Sequence, residues 1–461
     1  MQLNASHKDN KRHLIFSALM SAVFVLSFVL ELKILLVLLF VLGTGFLALA
    51  YQDFEIRPIQ LIVALFFITV FAPLIEISDS IPAIRPEQFL FFSVFPILLI
   101  LQKRDPYPQL NLFIKFFIGF QLLQIFSLFY GKVVMGSSVG FKDLVEIFRV
   151  LEYGLVAFII GHFTITKNEL RSLLFLMILF FAGSAIIGLF QYYGILGLDR
   201  ITAPLYFEGR LHDVHERVMG TFVNPNTYGT FASLGAIITL GTLFYEKSKS
   251  IKILLFLVSL ILIWTVALTQ SRTAFVVFLV AVLSLILIYG YSMQLRWYTI
   301  VAIFGGVIVI LGGLGFLLSD QIISRFETLL NFMEDLSWQM RLFAWYINLH
   351  LFIESPLFGW GPGFHQFSPT VDSDYILILR RYGLVGFFVY LGFYFIPLKH
   401  AFNYIKGTDI RAHFNRIFIA CTIVFLIGNI PNSLFHEMQF IGFWAIFLGV
   451  LYAVNKKKGD S

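Results

Sequence analysis

Arginines recur beside glycine, asparagine and aromatic residues in several separate stretches of this chain. A planar guanidinium fork is the side chain best shaped to grip phosphate or carboxylate. In Arg217-Val218-Met219-Gly220-Thr221-Phe222-Val223-Asn224-Pro225-Asn226, Pro225 stands where a helix can begin and Asn224 or Asn226 can cap it. Helix amides beside Arg217 would attract an anion; the plainer alternative is a helix entry at a membrane surface. Thr269-Gln270-Ser271-Arg272-Thr273 lies between two long apolar runs with no acid nearby in sequence, so Arg272 needs a partner or water. Trp338, Arg341 and Trp345 share one face of a helix that Ser337 can cap and Pro356 must stop. Pro356-Leu357-Phe358-Gly359-Trp360-Gly361-Pro362-Gly363-Phe364-His365 then sets Gly361 and Gly363 where backbone can approach a ligand closely. Aromatic faces beside arginine suit a sugar phosphate, and equally a helix lying flat on a membrane. Finally, Val371-Asp372-Ser373-Asp374-Tyr375 brings two carboxylates to the start of a helix. They can serve as a general base, as orienting groups for a hydroxyl, or simply as N-caps.

Glu146, Arg149 and Glu152 are spaced three apart and form one helical stripe. Each charge alone would cost roughly 2.5–3.5 kcal/mol at the centre of a span, so an interior ion-pair ladder is expected, with a proton or ion path as the alternative. His212 and His215 flank Asp213, but no third metal ligand is evident and no metal is expected. The one cysteine, Cys421, excludes an internal disulfide framework and sits in an apolar run as a small hydrophobe. Zinc motif, P-loop and nucleophile elbow are all missing from the sequence.

The elements that must carry these residues are helices in lipid. Of 461 residues, 59% are hydrophobic and 13% charged, against about half and a quarter in a soluble domain. Apolar runs near the roughly 20 residues a span needs begin close to Leu14, Ile34, Ile59, Gln88, Leu110, Ile147, Leu173, Asn226, Ile251, Thr273, Trp297, Ile376, Ile417 and His436. The reading is an all-α polytopic membrane protein of about 12–14 transmembrane helices, one membrane domain over 1–461, with outer loops at 194–225 and 319–374. The polar start before Leu14, with an apolar run that continues into a second span, reads as a signal-anchor helix rather than a cleaved leader. Lysines such as Lys103, Lys167, Lys247, Lys249, Lys252, Lys399 and Lys406 gather in alternate connections, which predicts both termini in the cytoplasm. The two long loops carry Arg200, Arg210, Arg217, Arg325 and Arg341 and no lysine. They are expected to recognise an anion at the outer face, with interfacial snorkelling as the alternative. The net charge of +6 is a topology signal and implies no nucleic acid.

In this order, the motifs from Arg217 to Asn226, Ser271-Arg272, Arg341, Pro356 to Gly363 and Tyr375 to Gly386 resemble the O-antigen ligase and polymerase superfamily. The resemblance implies a GT-C-like glycosyltransferase of the bacterial inner membrane that needs neither metal nor cofactor. Its partners would be a polyprenyl-pyrophosphate-linked oligosaccharide as donor and acceptor, membrane lipid, and a chain-length regulator protein. Arg272 and Arg341 would stabilise the leaving pyrophosphate, and Asp372, Asp374 or His365 would take the acceptor proton. Arg217, Asn224, Asn226, Trp338, Gly361, Gly363 and Tyr375 would bind substrate. Ligases of the superfamily usually carry His-Asn just before the tyrosine, where this chain has Asp372-Ser373-Asp374. That departure favours a Wzy-type polymerase of O-antigen, capsule or exopolysaccharide. A ligase with another acceptor lipid remains the alternative enzyme, and a lipid-linked oligosaccharide flippase or anion transporter the alternative class.

The lysine pattern generates a topology test. An impermeant thiol reagent applied to intact cells should modify a cysteine placed at Ser319 and spare one placed at Ser248; the reverse pattern overturns the orientation.

Overall fold

The computed structural model describes residues 58–73, 108–206, 215–293, 298, 305–306, 336–363, 367 and 371–456. The chain divides into two compact units, 1–57 with 72–104, and 58–71 with 105–461. The helices below all belong to the second. They are α1 Pro58–Phe71, α2 Pro108–Val133, α3 Phe141–His162, α4 Lys167–Tyr192, α5 Leu198–Tyr206, α6 Pro225–Tyr245, α7 Lys249–Leu268, α8 Arg272–Met293, α9 Leu336–Glu354, α10 Asp374–Phe402, α11 Ile410–Gly428 and α12 Met438–Asn455. Short 3-10 turns at Ile195–Gly197 and Leu434–His436 complete the set, and among the described residues there is no strand.

Eight of these helices (α2, α4, α6, α7, α8, α10, α11 and α12) are long and apolar enough to cross a membrane. The chain is therefore an all-helical, multi-pass membrane protein. The runs expected from Leu14, Ile34 and Gln88 fall outside the described residues, as does the run from Trp297 but for Tyr298, Gly305 and Gly306. The run from Ile59 forms a helix of only 14 residues, and the run from Ile147 lies in α3, whose Lys142, Asp143, Glu146, Arg149 and Glu152 set it apart from the eight.

Local chemistry fixes several helix ends. Thr166 accepts from the Glu169 amide while Glu169 accepts from the Thr166 amide, a reciprocal capping box that opens α4. Asn224 Oδ1 accepts from the Asn226 amide at 2.8 Å, with Pro225 in the first turn of α6. Asp409 caps α11 through the Ala412 amide at 3.0 Å. Burial alone would raise the Glu246 carboxyl, but the Ser248 amide, the Arg171 guanidinium at 2.7 Å and the Lys247 amide together hold it below the usual carboxylate range.

Every residue of α12 is buried. Phe443, Trp444 and Phe447 interleave with rings from α1, α4, α6 and α11, among them Phe66, Phe181, Phe231, Phe418 and Phe425. Gly449 lies against Ile160 and Ala157 of α3, where a Cβ would come within 2.5 Å of the Ile160 Cβ; small residues of this kind let helices close up where apolar burial gives no drive in lipid. Outward faces are apolar in turn, as with Leu122 and Phe129 of α2 or Ile253 and Leu254 of α7.

Contacts sort the connections onto two ends. Lys167 pairs with Asp409 at 3.0 Å and Arg171 with Glu246 at 2.7 Å. Asn415 and Asn455 exchange amide hydrogen bonds, and Arg416 donates to the carbonyls of Ile405 and Gly407. These join the α3–α4, α6–α7 and α10–α11 connections to the end of α12 at one end, the lysine end. The segment 215–224 and the starts of α6, α8, α10 and α12 lie at the other, the arginine end.

One element departs from the expected continuous span. α10 is broken at Gly383, whose φ of 64° and ψ of −165° are non-helical. The loop after α9 enters the break. The Trp360 and Gly361 amides donate to the Arg380 and Arg381 carbonyls at 2.9 Å, while the Leu384 and Val385 amides donate to Pro356 at 2.8 Å and Leu357 at 3.3 Å. Ser127 Oγ of α2 lies 2.7 Å from both the Phe358 and Arg381 carbonyl oxygens. The part after the break, 384–402, rises about 28 Å at 1.5 Å per residue, close to the roughly 30 Å hydrocarbon core. Arg380 and Arg381, expected just inside the span, therefore precede it and are buried in protein.

A Cβ at Gly359 would meet the Arg381 carbonyl carbon at 2.4 Å, and one at Gly383 would meet the Leu357 carbonyl carbon at 2.3 Å. Both neighbours are backbone, and both glycines have positive φ. Gly359→Ala and Gly383→Ala should each lose more than the roughly 1–2 kcal/mol of a left-handed alanine, seen as a lower melting temperature in detergent; a melt unchanged from wild type would show that the loop does not occupy the break.

Candidate active site

The tight turn between α7 and α8 is built for its place. Gln270 takes a positive φ of 51°, and Ser271 Oγ accepts from the Ala274 amide at 3.2 Å to cap α8. The segment before α6 straps this turn down. Val218 N donates to Leu268 O at 3.1 Å, and Gln270 Nε2 to Glu216 O at 2.8 Å. Arg217 donates through Nε to Thr269 O at 2.8 Å and through a terminal nitrogen to Asn226 Oδ1 at 2.7 Å. Arg272, the first residue of α8, is thereby set at the arginine end, half-buried.

On the other side stands α9. Trp345 Nε1 donates to Val371 O at 3.1 Å, and the edge of Trp338 meets Trp345 with ring centres 5.6 Å apart. Arg341 Nε lies 3.3 Å from Asp372 Oδ2. The arginine side chain is 13% exposed and the aspartate 55%, and Asp372 itself sits at a positive φ of 50°.

Between α8, α9 and the turn after α11 lies a cavity of ≈ 350 Å³ lined by Arg272, Thr273, Val276, Val277, Trp338, Arg341, Ile427, Ile430 and Pro431. Two arginines and an indole share its lining with a wall of valine, isoleucine and proline. Such a lining offers forked donors on one side and aliphatic surface on the other.

The sequence-derived candidates divide by place. Arg272, Arg341 and Trp338 line the cavity, with Asp372 bonded to Arg341. Arg217, Asn224 and Asn226 lie in and beside the strap and are not among the lining residues. Gly361 fills the break in α10, next to Pro362, whose carbonyl accepts from Arg380 at 3.1 Å, and to Gly363, whose Cβ would strike the Phe367 ring at 2.7 Å. Tyr375 donates to Leu426 O at 2.5 Å. His365 lies outside the described residues.

Asp374 faces the protein core. It is fully buried and accepts from the Phe435 amide at 2.6 Å and from His436 Nδ1 at 2.5 Å. Its own amide lies 3.1 Å from Asn429 O and 3.2 Å from Asn432 O. His436 Nε2 reaches Glu146 Oε1 at 3.3 Å, and Glu146 also holds Arg381 at 3.3 Å and Arg149 at 3.2 Å. Glu146 and Arg149 of the expected stripe thus belong to an interior ion cluster that also takes in Arg381 of α10 and His436 just before α12. The turn 429–432 and His436 were not among the sequence candidates. Asn429-Ile430-Pro431-Asn432-Ser433 carries the same asparagine–proline–asparagine composition as Asn224-Pro225-Asn226, a likeness that could have drawn attention to the turn.

No group of three or more His, Cys, Asp or Glu placed to hold a metal ion occurs among the described residues.

Residues 257–391 match the Wzy_C family model, described as O-antigen ligase. The match runs from within α7 to within α10 and takes in Arg272, Arg341 and Asp372. No curated protein matches the chain.

Breaking a buried ion pair by removing one partner costs about 3–5 kcal/mol. Asp374→Asn and Glu146→Gln should each lower the melting temperature in detergent clearly, while Asp372→Asn, with its carboxylate half in solvent, should leave it near wild type. Equal melts for all three would deny the core cluster a stabilising role.

Proposed function

We propose, on the match of residues 257–391 to the family model described as O-antigen ligase, that this membrane protein is a glycosyltransferase, a Wzy-type polymerase. It would join polyprenyl-pyrophosphate-linked repeat units at the outer face of a bacterial inner membrane, with its termini in the cytoplasm. The observation that carries this reading is the convergence of Arg272 and Arg341, from motifs far apart in sequence, on one cavity that also has an aliphatic wall.

The chemistry follows from what each group can do. The acceptor hydroxyl oxygen forms a bond to the anomeric carbon of the donor sugar, and the bond from that carbon to the pyrophosphate oxygen breaks. The electron pair leaves with the pyrophosphate, where negative charge grows in the transition state. Two guanidinium groups held in place by protein need not reorganise as that charge appears. The acceptor's proton passes to a carboxylate, and Asp372, bonded to Arg341, is the better placed of the two aspartates, because both Asp374 oxygens face Phe435 and His436. Trp338 offers a face for the first sugar. Shared residence of donor and acceptor in one leaflet supplies proximity. The aspartate-serine-aspartate run in place of histidine-asparagine supports elongation over transfer to a core lipid. A chain-length regulator would be a further partner.

The assay gives purified protein a lipid-linked repeat unit and nothing else. A ladder of longer lipid-linked chains is expected. Product formed only after a second acceptor lipid is added would establish the ligase alternative, and transbilayer movement of the lipid without new glycosidic bonds would establish the flippase. In the same assay, Arg272→Ala and Arg341→Ala should each lower turnover by about 10²–10³-fold with melting temperatures held. Lysine at either position should rescue poorly, since a point charge lacks the fork. Chelator should leave the ladder intact.

A further inference from the structure

α9 has its polarity inverted. The face turned to the rest of the protein carries Trp338, Arg341, Trp345 and Asn348, and Asn348 is the one buried residue of the helix, accepting from Arg380 at 3.1 Å. The opposite face carries Leu336, Met340, Phe343, Tyr346, Ile347 and Ile353 at helical spacing, and all six are exposed, Met340 and Phe343 at 61% and Ile353 at 68%. A helix at a protein–water boundary does the opposite, turning its apolar stripe inward. So long an exposed apolar stripe marks an interaction surface.

Both halves of α9 are tied to the arginine end. The first half is held there by Arg341 to Asp372 and Trp345 to Val371, just before α10 begins. The second half is held by Asn348 to Arg380 and by Trp360 Nε1 to Leu351 O at 2.7 Å. A Cβ at Gly131, in the last turn of α2, would come within 2.2 Å of the Trp360 carbonyl oxygen. A helix of 19 residues fastened along its length to the same end of the bundle lies across that end and does not pass through the membrane. Exposed Gln339, His350 and Glu354 punctuate the stripe, and apolar surface resumes beyond them at the loop that meets the following span. Exposed Leu357 accepts from Val385 N at 3.3 Å, and exposed Val385 and Phe388 stand on the part of α10 after its break.

We propose that α9 is an interfacial helix seated in the bilayer surface at the arginine end, with Met340, Phe343, Tyr346, Ile347 and Ile353 in the acyl boundary of the lipid. The occupant of the stripe is lipid because exposed Leu357, just past α9, is bonded to Val385 on the exposed apolar face of the α10 span, and the polar residues that punctuate the stripe suit a headgroup boundary. An amphipathic helix of this kind buries its apolar face some 5–10 Å into the headgroup and acyl boundary. The seat sets Arg341 and Trp338, on the opposite face, at headgroup depth. It holds whatever reaction the cavity serves, so its test is independent of glycosyl transfer.

Single cysteines placed at Met340, Phe343 and Ile353 of the full chain can carry nitroxide labels, since the native Cys421 is buried. The protein is reconstituted in phosphatidylcholine–phosphatidylglycerol bilayers, and collision of each label with oxygen and with a water-soluble nickel chelate is measured. A label at Phe388 gives the lipid reference and one at exposed Lys406 the water reference. The three α9 labels should favour oxygen over nickel several-fold more than the Lys406 label does, approaching the Phe388 ratio. Nickel-dominated collision as at Lys406 would put the helix in water and overturn the proposal. Shielding from both reagents would mean that protein covers the stripe, another segment of this chain or a second copy, and would overturn it equally. If one substitution impairs folding, the other two report the same face.

Discussion

A backbone amide or carbonyl left bare in hydrocarbon costs several kcal/mol, so irregular chain at membrane depth survives only where protein supplies partners. The break at Gly383 takes four backbone groups out of the α10 ladder, and residues 356–361 restore a partner to each: Trp360 and Gly361 amides for the carbonyls, Pro356 and Leu357 carbonyls for the amides. That exchange ties the loop after α9 into the bundle. It also fixes where α9 ends and how close its arginine stands to α8. Gly359 of the loop and Gly383 of α10 are glycine because each faces the other segment's backbone with no room for a methyl group, and Gly131 opens the same space from α2. The cavity at the arginine end inherits its shape from this interlock.

A second constraint is charge. Arg381 and Asp374 belong to the half of α10 before the break, and both are drawn into the cluster centred on Glu146 and His436. Buried charges are tolerated when paired and hydrogen-bonded, and costly otherwise. The cluster therefore welds the first half of α10 to α3 and to the start of α12. The turn 429–432 is pinned to Asp374 N in the same place, and Ile430 and Pro431 of that turn form part of the cavity wall. One carboxylate thus works inward to hold the wall, while Asp372, two residues earlier, faces outward to Arg341.

Much of the fold was legible because span length, lysine placement and helix caps are local properties. The helix from Leu336 to Glu354 ended before Pro356 as its sequence required, though Ser337, expected to cap it, lies inside its first turn, and Asn224 caps α6 beside Pro225. The break in α10 was not legible as a break. Tyr382-Gly383-Leu384-Val385-Gly386 reads as an apolar helix with two tolerable glycines, and what splits it comes from a loop earlier in the chain. The glycines at 361 and 363 read as places where backbone comes close to a ligand, and the fold shows instead what they approach within the protein. Here Gly361 meets Ser127 and Gly363 meets Phe367. Asp372 and Asp374 looked equivalent in sequence, and only the fold separates the buried one from the one beside the cavity arginine. His436 gave no signal at all, sitting at the edge of an apolar run with its two carboxylate partners far away in sequence.

The same end of the molecule therefore combines opposites that a soluble enzyme would keep apart. Arg341 and Asn348 turn inward and large apolar residues turn outward on one helix, while across the cavity Arg272 shares its helix with Val276 and Val277 of the aliphatic wall. In water such an arrangement would collapse toward burying the stripe. In a bilayer it is the low-energy one, because lipid covers the apolar face and the guanidinium groups find carboxylate, water and headgroup at the boundary. A ligand with an anionic head on an isoprenoid-like tail meets the same two environments in the same order. On the proposed function, the boundary that orients α9 is then the boundary that would deliver such a ligand to Arg272 and Arg341.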